Sequence, residues 1–295
     1  MLHAEAGARH LALVRIAVFA IWLLRILPDC FSCYADFDAS LFGRLGVLRL
    51  IPRDVAGWLL DPRLLAAGKI ILVALISAAA LGVAFYRVFA VSAAVLLTIY
   101  EGIPRGLAQQ THVDLPLLWM VYLLAVSPAA DAFAWRTPRS TQQPQQLYAS
   151  AMIMMALVFL STYCLTACHR LVQASPEIFF TSSIRQFVAS DILRPTHNPF
   201  LLGEWLLESP FALSLFQVGF VVVTLFELLS PLCLICRPLR YTWIVAMISF
   251  HAGAYVFMNV LFMSNALLIP VLLLESEPWL RRVSSRNREA TCGTA

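Results

Sequence analysis

LLAAGKIILVALISAAALGVAF, residues 64–85, carries one charged side chain, Lys69, in a run long enough to cross a bilayer. A helix needs about 20 residues to traverse the hydrocarbon. Inside lipid a single segment can satisfy its own backbone donors and acceptors only as a helix. Working outward, similar runs recur at about 11–28, 88–106, 112–130, 148–171, 211–234, 239–258 and 260–276. The reading is an all-α, polytopic transmembrane bundle of about eight spans. The last two runs are separated by little more than Met258-Asn259 and read as a tight turn or one broken helix. Two longer segments, 29–63 and 172–210, are rich in Pro, Asp, Trp and Phe. Their amphipathic pieces, Ser40–Leu50 and Ile178–Ile192, read as interfacial or re-entrant outer segments.

Composition agrees with this reading. The chain is 60% hydrophobic and 13% charged, with a mean hydropathy of +0.79, whereas a soluble domain carries roughly 25% charged residues. So little charge cannot cover a folded surface with water-compatible groups, which leaves lipid to cover it. The net charge of +4 is almost all arginine, Lys69 being the one lysine. No dense basic block is present, which argues against nucleic acid as a partner and for arginines that orient helices. Eight spans with a cytoplasmic N-terminus put Arg9, Arg87, Arg136, Arg139, Arg237 and Arg240 on short inner segments, together with the arginine-rich tail. An inner (cytoplasmic) membrane with both termini cytoplasmic is therefore expected. Residues 1–280 read as one transmembrane domain and 281–295 as a disordered cytoplasmic tail. Leu11–Leu27 contains Arg15 and Arg25 and no small-residue cleavage pattern follows it, so it reads as a retained first helix.

An ionisable group in lipid is costly and requires a reason. Arg15 and Arg25 read as snorkelling or as paired with a neighbouring helix. His112 and Asp114 open the fourth span, preceded by Glu101 and Arg105. Thr162, Thr166, His169 and Gln173 follow helical spacing and give the fifth span a polar face. Glu227 and His251 lie deep in apolar runs, and a Glu–His pair across helices, structural or proton-relaying, is one mutual solution. His112, His169, Arg170 and His251 are all expected toward the outer side, where they can line one cavity.

Cys30-Phe-Ser-Cys33 just after the first span is a C-x-x-C with the spacing of redox dithiols, open to a redox role or to a structural disulfide. Cys233-Leu-Ile-Cys236 repeats the spacing, and Cys164 and Cys168 lie four apart. No metal-ligand spacing, phosphate loop or nucleophile elbow is present.

Several stretches in order resemble the HTTM membrane domain, shared by vitamin K-dependent gamma-carboxylases and many bacterial membrane proteins. They are the first span with Arg15 and Arg25, Gly82 to Arg87, Thr111-His112 to Asp131, Tyr163 to Leu171, Glu227 to Pro231, Arg237 to Arg240, and Phe250-His251 with Met258 and Phe262 beyond. The resemblance covers nearly the whole chain and implies the helical fold and the place of its cavity. In the carboxylases the lysine ending the fifth-span motif is regarded as the base that starts hydroquinone oxidation. Arg170 stands at that position here. A guanidinium stays protonated and cannot be that base, so true glutamate carboxylation is not expected.

What remains is an outward-facing polar pocket for a lipophilic small molecule, a quinone-like cofactor or a lipid. His169 or His112 would handle a proton there, with Arg170, Glu227 and His251 binding the substrate. Two further readings stay open. One is a non-enzymatic maturation or immunity partner for a secreted peptide, and the other is an outer-face thiol oxidoreductase using Cys30 and Cys33. Membrane lipids are partners in every case.

Overall fold

The apolar runs become helices, two of which stop where Gly82 and Asn259 turn left-handed. The computed structural model describes residues 6–38, 42–52, 55, 57–107, 114–135, 143–173, 183–193, 198 and 200–274. The tail 281–295 and His112 lie outside the described residues. Among the described residues, α-helices run in chain order: α1 Ala8–Ile26, α2 Pro62–Leu81, α3 Tyr86–Gly106, α4 Leu115–Val126, α5 Gln145–Gln173, α6 Ser183–Asp191, α7 Gly203–Glu208, α8 Pro210–Leu228, α9 Arg237–Met258 and α10 Met263–Leu273. No strand occurs among the described residues. Five helices, α2, α3, α5, α8 and α9, are long and apolar enough to cross a membrane. Helices α4 and α10 are shorter apolar helices.

Helix boundaries follow local chemistry. Asp61 caps α2, its carboxylate accepting from the N–H groups of Arg63 and Leu64, with Pro62 as the first helical residue. Gly82 ends α2 in the left-handed conformation at φ +62°. Asn259 does the same for α9 at φ 57°, a conformation that asparagine tolerates. The N–H of Val260 bonds to the Ala254 carbonyl there. A non-helical turn, 259–262, thus separates α9 from α10, and the two helices pack on each other.

The described residues form two compact units, one up to Met154 and the other Met155–Leu274, and α5 runs from the first into the second. In the first unit α1 packs on α2 and α4, α2 on α3, and α3 on α4. Hydroxyl and indole donors tie these helices through backbone carbonyls. Tyr86 donates to Leu124 O at 3.0 Å, Tyr100 to Leu64 O at 3.1 Å, and Trp22 to Leu117 O at 3.4 Å. Thr98 and Tyr122 share a 2.6 Å bond between α3 and α4. The 29–63 segment contains short 3-10 turns at Phe31–Asp36, Gly46–Leu50 and Gly57–Leu60. The first of these packs against α2, and Leu48 of the second is fully buried against Gly102 of α3.

Arg15 is fully buried in this unit. Its Nη1 donates to Ala129 O at 2.7 Å and Ala132 O at 3.3 Å, and its Nη2 donates to Phe133 O at 2.7 Å. These carbonyls belong to the turn that follows α4. A guanidinium therefore supplies donors to backbone carbonyls of that turn. Arg25 bonds to Asp114 at 3.3 Å and lies 3.6 Å from Asp29. Both arginines are thus paired within the protein, as one of the two sequence readings had it.

In the second unit α6, α7, α8 and α10 pack on α9. Ile184, Val188 and Leu206 form a buried cluster with Phe216 and Phe257 against it. The described parts of the 172–210 segment pack on the helices of their unit. Asn198 Nδ2 donates to Tyr255 O at 2.7 Å and the Leu202 N–H to Val256 O at 2.8 Å. Gly203 allows this approach, since a Cβ there would stand 2.6 Å from the Phe257 carbonyl oxygen.

Replacing Arg15 by Leu removes two short charge-assisted bonds and leaves the buried Ala129 carbonyl without its donor, at a cost of about 3 kcal/mol. The expected outcome is a thermal midpoint, followed by helicity in detergent, well below that of an Ile16→Leu control. Equal midpoints would refute the role assigned to Arg15.

Candidate functional site

Helices α5, α8 and α9 bring the site together within the second unit. On α5, Tyr163, Ala167 and Arg170 follow i, i+4, i+7 spacing; Tyr163 and Ala167 are buried, and Arg170 is half-buried. On α8, Phe220, Thr224 and Glu227 do the same. The two faces meet. Arg170 Nη1 forms a short ion pair with Glu227 Oε2 and lies 3.4 Å from Thr224 Oγ1. The guanidinium stands 5.2 Å from the centre of the Phe220 ring. The Glu227 side chain is 3% exposed and that of Arg170 22%, so a carboxylate that could not stay ionised alone at this depth is paired.

Ser230 locks this geometry from below. Its hydroxyl donates to Leu160 O at 2.7 Å and Glu227 O at 2.6 Å, joining α5 to the 3-10 turn Ser230–Leu234 that follows α8. Trp243 on α9 donates to Phe226 O at 3.0 Å and packs edge-on against Tyr163.

His251 does not pair with Glu227. Its Nε2 shares a 2.8 Å bond with the Tyr163 hydroxyl, and its ring packs between Phe250 and Phe262. The Glu–His pair, one solution that the sequence left open, is not formed, and two pairs stand instead, Arg170–Glu227 and Tyr163–His251. The reason is the register of α5, which aims Tyr163 at α9 and Arg170 at α8. The polar stripe Thr162, Thr166 and His169 lies beside this face. Both threonine hydroxyls bond to carbonyls of their own helix, Phe159 O and Thr162 O, and His169 is exposed. The side chain of Gln173 lies outside the described residues.

A groove of about 1070 Å³ runs between α5, α6, α8 and α9. His169 and Arg170 line it on one wall, Ser190 and Asp191 on another. Most of the remaining lining is apolar, including Phe187, Phe216, Phe220, Phe250 and Phe257. His251 sits behind the groove wall, as its neighbours Phe250 and Ala254 line it while His251 does not. Glu227 stands likewise behind Arg170. Among the described residues no group of three or more His, Cys, Asp or Glu can hold a metal ion.

Comparison with family models, curated proteins and solved structures finds no match. The site therefore has to be read from its own chemistry.

Cys30 and Cys33 belong to the first unit, where they are joined as a disulfide. Cys233 and Cys236, at the same spacing, are free, the first buried and the second exposed. Cys164 and Cys168 are free and half-buried on α5. Asp114, Glu101 and Arg105 also lie in the first unit. Glu101 and Arg105 pair within α3 at 3.3 Å.

Sequence reasoning missed Tyr163 and Thr224 as members of the site. The signal was present in the spacing Phe220, Thr224, Glu227 and in Tyr163 standing seven residues before Arg170.

Removing one partner of a buried ion pair costs about 3–5 kcal/mol, and the lower end applies because Arg170 is partly exposed. Arg170→Gln is expected to destabilise strongly, and adding Glu227→Gln to recover most of the loss. A double-mutant cycle on thermal midpoints checks this. Additive losses would mean that the two side chains do not depend on each other.

Proposed function

We propose that this chain is a multi-pass inner-membrane protein of the HTTM type whose groove binds a lipophilic small molecule, a quinone or a lipid. One observation carries the reading: a guanidinium fixed by a buried carboxylate stands in the wall of a groove otherwise built mainly from aromatic and aliphatic side chains. That combination suits an apolar body with one anionic or strongly accepting oxygen. Arg170 holds that oxygen, and the exposed imidazole of His169 beside it exchanges the proton that a hydroquinone or acid group gains or loses. Tyr163 and His251 position the helices behind the groove. A guanidinium cannot serve as the base of glutamate carboxylation, so that reaction forms no part of the proposal.

Five helices with many apolar side chains turned outward support the membrane setting. The eight-span reading adds α1, α4 and α10. Helix α1 has 19 residues, and Arg15, its deepest charge, is satisfied by carbonyls of its own unit. Helices α4 and α10 reach only about 18 and 16 Å at 1.5 Å per residue, so they would need flanking residues to complete a crossing. The arginine-rich short segments support a cytoplasmic side for both termini.

Mass spectrometry of the small molecules retained after gentle detergent purification tests the proposal. Gly219 and Gly253 line the groove, and a Cβ at either would have no atom within 4 Å. Gly253→Leu therefore projects a side chain into the groove. The wild type is expected to retain a defined quinone or lipid. Gly253→Leu and the Arg170→Gln, Glu227→Gln double variant should each lose it by roughly tenfold or more, the worth of one charge-assisted bond. Equal retention in all three would sink the reading.

A further inference from the structure

The Cys30–Cys33 disulfide closes a loop with a sequence separation of three residues, in the 3-10 turn Phe31–Asp36 directly after α1. Both cysteines are exposed. A cross-link over so short a loop removes little freedom from the unfolded chain, because the constraint grows with loop length. The turn is also held without it. The Cys33 N–H donates to Cys30 O at 3.1 Å. Phe31, between the two cysteines, is buried and stacks on Tyr100 of α3 with ring centres 4.8 Å apart. The Lys69 ammonium of α2 donates to Leu27 O at 2.9 Å and Asp29 O at 2.7 Å, fixing the backbone that leads into Cys30. Opening the sulfur–sulfur bond would leave every one of these contacts in place.

Local charge and hydrogen bonding distinguish the two sulfurs. Ser32 Oγ lies 3.6 Å from Cys30 Sγ. A disulfide sulfur has no proton to give, so the hydroxyl is the donor. The Asp29 carboxylate, which would oppose a thiolate at Cys30, is engaged by Arg25 at 3.6 Å and by the Tyr34 hydroxyl at 3.3 Å. With that carboxylate engaged, the Ser32 hydroxyl is the polar group set against the Cys30 sulfur.

We propose that Cys30–Cys33 is a reversible thiol-exchange site that takes two electrons from a dithiol partner, with Cys33 the sulfur attacked and Cys30 the sulfur that leaves. The partner's thiolate attacks Cys33 Sγ. The Cys30–Cys33 bond breaks, and Cys30 departs as a thiolate supported by the Ser32 hydroxyl. The partner's second thiolate then attacks the partner sulfur of the mixed disulfide, closing the partner's own disulfide and releasing Cys33. The two protons lost by the partner's thiols end on Cys30 and Cys33. The chain is reduced by two electrons and the partner oxidised by two. The reverse sequence recloses the pair. This site stands independently of the groove and of whatever the groove binds.

The test uses the full-length purified protein in detergent, equilibrated with mixtures of reduced and oxidised dithiothreitol. Alkylation is read by mass spectrometry on the peptide that carries both cysteines, with circular dichroism recorded in parallel. The expected result is one two-electron transition in which Cys30 and Cys33 become modified together, reverse on adding oxidised dithiothreitol, and leave the helicity unchanged. Ser32→Ala is expected to open several-fold more slowly at the same dithiol concentration, because its leaving sulfur has lost a donor. A pair that stays closed under large dithiol excess, or that will not close with the oxidised reagent, overturns the proposal. So does opening that occurs only as helicity is lost, since that would make the bond a structural staple. Equal opening rates in Ser32→Ala and wild type would overturn the assignment of Cys30 as the leaving sulfur.

Discussion

A polar group buried among apolar helices is costly unless it is hydrogen-bonded or paired, and the bonds that do this in the chain are directional. Arg15 answers the open carbonyls of the turn after α4, and Arg170 and Glu227 answer each other. Tyr86, Tyr100, Trp22 and Ser230 each donate to a backbone carbonyl on another element. Few contacts of this kind are needed, because apolar burial needs no direction and these bonds do. They fix helix register where packing of similar aliphatic surfaces would leave several registers close in energy.

That constraint explains which parts of the architecture were legible in the sequence. The apolar runs set the positions of α2, α3, α5, α8 and α9 within a few residues, because length and hydropathy carry that information. Chain breakers refined the ends: α2 stops at Leu81 rather than near 85 because Gly82 turns left-handed, and α9 stops at Met258 because Asn259 does. The run 112–130 was less informative. Its described helix is only Leu115–Val126, and the residues after it form the turn whose carbonyls Arg15 binds. Hydropathy cannot distinguish an apolar helix from an apolar turn.

Pairing was the least legible part of the site. Glu227 and His251 were both recognisable as deep polar groups, and each needed a partner, but periodicity reports only which residues share a face of one helix. Which face meets which depends on the register between helices. The polar stripe Thr162, Thr166 and His169 was correct as spacing. Its two threonines satisfy themselves on carbonyls of α5, which leaves the Tyr163–Arg170 face to meet α8 and α9. Identical C-x-x-C spacing likewise gave a closed pair at Cys30 and Cys33 and an open one at Cys233 and Cys236. Spacing alone does not encode that difference.

The account as a whole rests on lipid, not water, covering the apolar side chains that the helices turn outward. Val218 on α8 and Val245 on α9 are two of these, 59% and 66% exposed. Single nitroxide labels at each position, with the protein in lipid vesicles, distinguish the two solvents by their collisions with oxygen and with a water-soluble nickel chelate. The account predicts frequent oxygen collisions and little access for nickel at both sites. Ready access for nickel at Val218 and Val245 would contradict it.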